Sequence, residues 1–300
     1  MSQVNFENRT VIVTGAGNGL GKAYALELGS RGARVVVNDL GGSVDGSGSA
    51  NSPADDVVDE IVKNGGEAIA NYDSVATKEG GEAIVQSALD SYGTVDAVIN
   101  NAGILRDKSF ANMSEDELSL ILDVHLKGTF FVTQPAFKVM KENNYGRIVN
   151  VASPSGLFGN FGQANYGAAK MGIVGLSNVL SIEGAKYNIK VNVIAPTAYT
   201  RMTEALLPED VGKLFSAELV TPMVVYLASE SCEPTHEIFG VAAGRFARIG
   251  IITHNGYVNT SATAEDIAGN IEEIRTIKDG TYPLSNEAVS YTHLTLPTTD

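Results

Sequence analysis

The sequence contains no tryptophan and a single cysteine, Cys232, among its 300 residues. One thiol excludes an internal disulfide framework and fits a reducing compartment, in which Cys232 is an ordinary buried or half-buried side chain. Runs of 18 apolar residues are also absent, and the first ten residues, MSQVNFENRT, lack the apolar stretch of a signal peptide. We therefore expect no membrane-spanning segment and no secretion.

Positive charge is scarce as well. The chain has 21 lysines and arginines against 35 aspartates and glutamates, a net charge of -14, and no long basic run. Nucleic acids and anionic membranes are bound through basic surfaces, so we expect neither as a partner. His236 and His254 are isolated and predict no metal site. What remains, 44% hydrophobic residues with 32 glycines, is typical of a globular domain that binds a small molecule.

Short β-branched runs alternate with helical patterns along most of the chain. They begin at Thr10, Ala33, Ala68, Val95, Gly146 and Ile189. Continuous apolar strands separated by helices are typical of a parallel sheet covered on both faces. The pattern predicts the α/β class, with a doubly wound parallel sheet in a single domain over residues 1–250 and a C-terminal extension over residues 251–288.

The last residues, 289–300, follow neither pattern. VSYTHLTLPT is what a transposase adaptor used in DNA library preparation gives when it is translated, so we interpret this end as a non-native tail. A natural C-terminal tail is the alternative. On the first interpretation the chain would be cut from a longer protein, as the first module of a multifunctional enzyme.

Capping residues, a proline and a glycine-rich segment predict further local features. Ser52 is expected to cap the helix that contains Pro53, and Ser114 with Glu117 forms a capping box. Pro135 should kink or break a helix near Thr133, because proline lacks the amide hydrogen that a helix interior needs. The Gly- and Ser-rich segment 41–51 is longer than an ordinary turn, and we expect a mobile surface loop.

The first strand leads directly into TGAGNGLG, residues 14–21. Glycines 15, 19 and 21 permit a tight turn and a close approach to a diphosphate, whose charge the N-terminus of the next helix favours. The spacing departs from G-x-G-x-x-G, since Leu20 occupies the place of its third glycine. Strand before and helix after still predict a dinucleotide site, with contacts from Gly15, Asn18, Gly19, Leu20 and Gly21.

Polar or small residues follow the next three strands. Asp39 ends the second strand, where a carboxylate accepts hydrogen bonds from a ribose and repels a 2′-phosphate, which predicts NAD rather than NADP. Asp73 and Ser74 follow the third strand and are expected near the adenine. The segment NNAG follows the fourth, and its small residues let a cofactor lie against the backbone. It contributes Asn101, Ala102 and Gly103.

Tyr166 and Lys170 are four residues apart in one predicted helix, which places them on the same face about 6 Å apart. A tyrosine titrates near 10, and a neighbouring ammonium favours the phenolate and lowers that pKa. Lys170 is therefore expected to activate Tyr166 as a general base. Ser153 ends the fifth strand and can hydrogen-bond the same substrate oxygen.

Together, TGAGNGLG, NNAG, Ser153 and YGAAK resemble the short-chain dehydrogenase/reductase family. The longer stretches VNDLGG, GNFGQANYGAAK and IAPTAYTRMT resemble its (3R)-hydroxyacyl-CoA dehydrogenases. The resemblance implies a Rossmann-type fold, NAD as cofactor and oxidation of a 3-hydroxyacyl thioester in fatty acid β-oxidation. It also implies a homodimer built on helices around residues 115–140 and 165–185, located in the cytoplasm of a bacterium or the peroxisome of a eukaryote.

The same resemblance assigns further roles. Lys170, with Tyr166, binds the nicotinamide ribose, and Ala198 and Thr200 lie toward the nicotinamide carboxamide. His125 occupies the place of an asparagine that supports a proton-relay water in most members, so a relay residue and an interior histidine both stay open.

Substrate contacts are less defined. Residues 197–221 fall where the family places a mobile substrate lid, and an acyl pocket could be lined by Met202, Leu206, Leu207 and Leu214. A helix that merely packs on the core is the alternative. Arg106 and Lys108 either meet acidic groups of CoA or are solvated.

Three alternatives stay open on the sequence alone. One is an NADPH-dependent 3-oxoacyl reductase, disfavoured by Asp39. Another is a hydroxysteroid dehydrogenase. The third is a cofactor-sensing binding protein without activity, which the complete set of Ser153, Tyr166 and Lys170 disfavours.

Overall fold

The computed structural model describes residues 4–200, 212–278 and 280–285. The chain divides into a unit of residues 1–248 and a smaller unit of residues 249–300. No helix in these ranges is long and apolar enough to cross a membrane, and they contain no group of three or more His, Cys, Asp and Glu side chains that could hold a metal ion.

The larger unit is built on an eight-stranded sheet in the order β3-β2-β1-β4-β5-β6-β7-β8. The first seven strands pair in parallel, so the predicted doubly wound α/β fold is confirmed. The strands are β1 Thr10–Thr14, β2 Arg34–Asn38, β3 Glu67–Asn71, β4 Ala97–Asn100, β5 Gly146–Val151, β6 Ile189–Thr197, β7 Ile238–Ala242 and β8 Arg245–Ile249.

Helices cover both faces of this sheet. Among the described residues of the larger unit they are α1 Gly19–Ser30, α2 Ser52–Lys63, α3 Lys78–Tyr92, α4 Glu115–Ile121, α5 Gly128–Asn143, α6 Pro154–Phe158, α7 Ala164–Gly184 and α8 Thr221–Ala228. The smaller unit contains α9 Ala264–Gly269 and α10 Ile271–Arg275. A capping box between Thr263 and Asp266 begins α9.

Alternate residues of each strand enter two separate cores. Val11 and Val13 of β1 pack in one core with Tyr24 of α1, whereas Ile12 packs in the other with Ile84 of α3. This alternation is the period of two that every strand imposes. Both faces of the central strands are covered, so most of their residues are apolar, and the polar residues Asn38, Asn71 and Asn100 stand at the carboxyl ends of β2, β3 and β4.

The structure corrects the expectation of a break at Pro135. Helix α5 runs continuously through Pro135, and the irregular part is a π-helical turn upstream, Leu122–Lys127, which joins α4 to α5. Packing explains why the helix persists. A Cβ built on Gly81 of α3 would lie 2.6 Å from the carbonyl oxygen of Phe131, the atom that loses its helical donor to Pro135. Close helix packing therefore holds the segment that proline alone would distort.

Two local expectations have different outcomes. The capping box of Ser114 and Glu117 at α4 is confirmed. Ser52, in contrast, is the first residue of α2 rather than its cap, and the cap position is taken by Asn51. Boundaries of this kind shift by one residue because the amide donors of the first turn have several possible partners.

Candidate active site

The glycine turn between β1 and α1 has the close packing that the sequence suggests. Gly15 and Gly19 have φ values of +62° and +52°, in the left-handed region that glycine tolerates. A Cβ on Gly21 would lie 2.1 Å from the carbonyl oxygen of Gly15, so only glycine lets the helix begin this close to the strand. Gly21 therefore shapes the turn, and it is not among the residues that line the cavity described below.

Asp39, directly after β2, holds this turn from the side. Its carboxylate accepts hydrogen bonds from the amides of Gly17 and Gly41, both at 2.7 Å. A Cβ on Gly17 would lie 2.9 Å from the same carboxylate. The half-buried carboxylate is thus fixed at the carboxyl edge of the sheet, where ligands of doubly wound folds bind.

Thr14, which the sequence analysis did not single out, connects the turn to β4. Its buried hydroxyl accepts from the amides of Asn101 and Ala102 at 3.1 Å. The side chain of Asn101 in turn donates to the carbonyl oxygens of Thr14 and Gly15, at 3.1 and 3.0 Å. The two central strands are thereby joined at the point where the strand order reverses. The only sequence signal was a hydroxyl directly before the first glycine.

A cavity of about 260 Å³ opens at this edge. Most of the predicted cofactor residues line it, namely Gly15, Asn18, Gly19, Leu20, Asp39, Asp73, Ser74, Asn101, Ala102, Gly103 and Thr200. Ala198 is buried and lies close in sequence to Thr200. The remaining predicted cofactor residues, Tyr166 and Lys170, are not among the lining residues. The polar atoms of one wall are backbone and fixed side chains, which suits a diphosphate and two riboses.

The segment 41–51 is an irregular and largely exposed loop, and its mobility stays a prediction. It folds over the cavity and contributes Gly42, Ser43, Val44 and Gly46 to the lining. Leu105 donates its amide to Val44 at 2.9 Å, and the Arg106 side chain donates to the carbonyl oxygen of Asp45 at 2.8 Å. Long-range hydrogen bonds, which composition cannot show, hold this loop in place.

Ser153, Tyr166 and Lys170 meet as predicted, from two elements. Ser153 precedes α6 and is nine-tenths buried, and its hydroxyl lies close enough to the Tyr166 phenol to lower the pKa of that phenol. Lys170 is one turn along α7, with Nζ 5.5 Å from the centre of the Tyr166 ring. The Lys170 ammonium donates to the carbonyl oxygen of Val151 at 2.6 Å, which anchors it at the end of β5.

The protonation of this group differs from the sequence expectation. Burial raises the pKa of Tyr166 to about 12, and the hydrogen bond from Ser153 opposes the increase only in part. Burial also lowers the pKa of Lys170 to about 7. A lysine that is only partly charged near neutral pH does little to favour a phenolate, so in this structure desolvation outweighs the expected activation of Tyr166.

His125 lies in the π-helical turn and is 2% exposed. Nε2 lies 2.8 Å from the carbonyl oxygen of Ile104, and the ring meets Tyr166 edge to face with centroids 5.1 Å apart. Nδ1 is buried with no hydrogen-bond partner among the described residues. Burial, followed by the nearby Lys170, lowers the pKa of His125 well below its ordinary value. It is a neutral interior histidine in ring contact with Tyr166.

Other predicted substrate residues are only partly accounted for. Met202, Leu206 and Leu207 fall outside the described residues. Leu214 is 63% exposed in a short 3-10 turn, and Lys108 is exposed next to a backbone bridge to Gln163. Arg106 is engaged with the 41–51 segment rather than solvated.

The geometry fits a nicotinamide dinucleotide. Glycines without room for a Cβ form a cradle at a helix N-terminus, a fixed carboxylate follows β2, and a tyrosine-serine pair lies near the far end of the cradle. In agreement, a family model described as short chain dehydrogenase matches residues 9–210. The chain belongs to the short-chain dehydrogenase family and is an oxidoreductase that uses a nicotinamide dinucleotide.

The chain is also similar to segments of larger multifunctional enzymes. The chain is 55% identical over 246 residues to the peroxisomal hydratase-dehydrogenase-epimerase of Saccharomyces cerevisiae, covering 82% of this chain and 27% of that protein. It is 49% identical over 286 residues to the peroxisomal multifunctional enzyme type 2 of Mus musculus, covering 94% of this chain and 38% of that protein.

Among solved structures, the full-length peroxisomal multifunctional enzyme type 2 from Drosophila melanogaster matches with a TM-score of 0.82 and 39% identity, over 97% of this chain and 49% of that one. The chain therefore spans less than half the length of these multifunctional relatives.

Proposed function

We propose that this protein oxidises the hydroxyl of a (3R)-3-hydroxyacyl-CoA to the 3-oxo group with NAD. The observation that carries the proposal is the half-buried Tyr166, which lies beside Ser153 and one helical turn from Lys170, on the same sheet edge as the dinucleotide cradle.

The residues divide the work as follows. Ser153 holds the substrate hydroxyl oxygen and Tyr166 removes its proton at Oη, while the bound nicotinamide supplies the hydride acceptor. The charged form of Lys170 favours the phenolate and binds the nicotinamide ribose. Because burial raises the pKa of Tyr166 to about 12, proton transfer needs positive charge close to the phenol. We assign that requirement to Lys170 in its charged form.

NAD is preferred to NADP because of Asp39. Its carboxylate is held by two backbone amides at the carboxyl end of β2, on the wall of the cavity. A ribose 2′-hydroxyl can donate to such a carboxylate, whereas a 2′-phosphate would be repelled. An NADPH-dependent reductase would be expected to carry a neutral or basic residue here.

The acyl-CoA substrate is supported by the relatives and the sequence resemblance rather than by a described acyl pocket. The yeast relative is named for hydratase, dehydrogenase and epimerase activities. The stretches GNFGQANYGAAK and IAPTAYTRMT of this chain resemble (3R)-hydroxyacyl-CoA dehydrogenases. We infer the same substrate class here, with a hydroxysteroid as the alternative to be tested.

We also propose a homodimer through α5 and α7. Large apolar side chains on these helices are exposed, with Phe130 at 47%, Val179 at 52% and Ile182 at 54%. Light scattering at micromolar concentration is expected to give twice the chain mass. A monomer would contradict this part of the proposal.

The function is tested by initial rates of nicotinamide reduction with NAD and with NADP. The substrates are (3R)- and (3S)-hydroxyacyl-CoA and a 17β-hydroxysteroid, and NADH binding is measured in parallel by fluorescence. We expect turnover with NAD and the 3R thioester. Preference for the steroid would replace the substrate, preference for NADP would contradict the role of Asp39, and NADH binding with no turnover would contradict catalysis.

A further inference from the structure

Asn165, the residue directly before Tyr166, has no exposed surface, and both its amide nitrogen and its carbonyl oxygen are hydrogen-bonded. Its Nδ2 donates to the carbonyl oxygens of Arg106 and Glu117, each at 3.0 Å. Its Oδ1 accepts from the amide of Tyr166 at 2.8 Å. One buried carboxamide thus joins the start of α7 to the segment after β4 and to α4.

The amide of Tyr166 needs such a partner. Tyr166 is the third residue of α7, and the first amides of a helix have no acceptor within the helix. The residue at the cap position, Gln163, makes no side-chain capping bond. Asn165 takes over that function from inside the helix and leaves Gln163 free to bind elsewhere.

The contacts around Asn165 form a continuous connection to the cofactor side. Gln163 donates to Asp107 at 2.8 Å, and the amide of Lys108 donates to Gly162 at 2.8 Å. The other end of the same segment binds the 41–51 loop through Leu105, at 2.9 Å. Residues 104–108, which we term the connecting segment, therefore contact both the cavity wall and the catalytic helix.

We propose that Asn165 is a positioning residue for Tyr166, which fixes the phenol relative to the cofactor cradle by fastening the first turn of α7 to the connecting segment. The inference rests on the proposed function, because it assigns Tyr166 as the general base. Asn165 itself contacts no reacting atom and is not a catalytic residue.

Positioning can be separated from simple stabilisation because the chain offers a matched control. Asn192 in β6 is 1% exposed, donates to the carbonyl oxygen of Pro234 at 2.8 Å and accepts from the amide of Glu237 at 3.3 Å. It is an equally buried asparagine that joins two backbone groups, and its partners lie outside the site. Loss of either carboxamide leaves unsatisfied backbone groups and lowers stability.

The experiment compares Asn165→Ala and Asn192→Ala with the wild-type protein, below the unfolding temperature of all three. Misplacement of a reacting group by about 1 Å costs up to about 100-fold in rate. For Asn165→Ala we expect kcat to fall about 30-fold, with KM for the hydroxyacyl-CoA and Kd for NADH within about threefold. For Asn192→Ala we expect an unchanged kcat. Equal kcat values for the two variants would overturn the proposal.

Deuterium exchange supplies a readout that needs no activity. In Asn165→Ala, residues 104–108 and 163–170 are expected to exchange faster together, and in Asn192→Ala neither should change. If the wild-type protein oxidises no substrate, the proposed function fails, and the exchange data still decide whether Asn165 holds the two segments. Unchanged exchange in both segments would overturn the connection itself.

A second variant covers the case in which Asn165→Ala does not fold. Asn165→Ser keeps a polar atom next to the Tyr166 amide and leaves a smaller cavity than Asn165→Ala does. It removes the two bonds that Nδ2 donates to the carbonyl oxygens of Arg106 and Glu117. We expect at least a tenfold loss of kcat with NADH binding retained. Wild-type kcat in Asn165→Ser would contradict the positioning role.

Discussion

The glycine turn and the start of α7 both present polar groups to the same sheet edge, but they are built differently. At the turn, backbone groups from one short stretch, residues 14–21, do most of the work, and a single carboxylate braces them. At the start of α7, side chains from α7, from the π-helical turn and from the segment between β5 and α6 meet backbone and side-chain groups of the connecting segment. The geometry of the glycine turn therefore depends on backbone conformation. The geometry at the start of α7 depends on buried side chains and their hydrogen bonds.

This contrast extends to charge. Asp39 stays partly accessible and is bound by backbone donors, which suits a group that must remain a carboxylate. Tyr166 and Lys170 are desolvated, and burial shifts both pKa values toward the uncharged forms. The carboxylate beside the glycine turn is therefore held in place by backbone donors. The pKa values of Tyr166 and Lys170 are instead set by burial.

The largest effect is expected from Tyr166→Phe, which tests whether the catalytic region can fail while the cofactor region stays intact. Phenylalanine keeps the ring and removes the base, so we expect kcat to fall about 1,000-fold, within the range of general base catalysis. Kd for NADH should stay within about twofold, since the glycine turn is unchanged. Tyr187→Phe, near the end of α7, is the control. Unchanged turnover in Tyr166→Phe would contradict the mechanism.

The converse test breaks the cofactor region by shape alone. Gly21→Ala places a Cβ 2.1 Å from a backbone oxygen, so we expect a loss of about 3 kcal/mol in unfolding free energy and weaker NADH binding. Gly175→Ala in α7 meets no atom within 4 Å and should stabilise by up to about 1 kcal/mol. Denaturant unfolding measures both. Equal effects would show that packing at the turn is not limiting.

Lys170→Met tests the contrast between the accessible Asp39 carboxylate and the buried Lys170 ammonium. We expect this variant to lose activity and to have a higher free energy of unfolding. The pKa of Lys170 is lowered from 10.5 to about 7, so between these values the unfolded chain binds a proton that the folded chain does not. The cost grows as pH falls through this window and is full below it. We expect about 2 kcal/mol of stabilisation at pH 7, shrinking toward pH 10.

Thermal unfolding at several pH values measures the effect of Lys170→Met. Lys186→Met, on the exposed surface after α7, should change little at any pH. A Lys170→Met variant that is less stable than the wild-type protein at pH 7 would show that the ammonium is well solvated or paired.

The smallest effect is expected at Asp39. Asp39→Asn keeps the size of the side chain and removes its charge. It also replaces one of the two carboxylate oxygens that accept from the amides of Gly17 and Gly41 by an amide nitrogen. We expect the preference for NADH over NADPH, measured as a ratio of dissociation constants, to fall about tenfold. An unchanged ratio would mean that the carboxylate supports the turn without selecting the cofactor.

Sequence reasoning located Ser153, Tyr166 and Lys170 correctly in space because each is placed by a local rule, a strand end or a helical repeat. It missed Thr14 and Asn165, whose partners are up to 88 residues away in the chain. It was wrong about a break at Pro135, since α5 continues through this residue where it packs closely against Gly81 of α3.

Taken alone, the sequence determined the parallel sheet, the glycine turn after β1, the carboxylate after β2 and the order of the catalytic residues. These follow from periodicity and backbone conformation, which act over a few residues. Only the tertiary structure decided the protonation of Tyr166 and Lys170, the neutral state of His125 and the three bonds of Asn165. Desolvation and buried hydrogen bonds depend on what the rest of the chain places around a group, and a linear pattern does not contain that information.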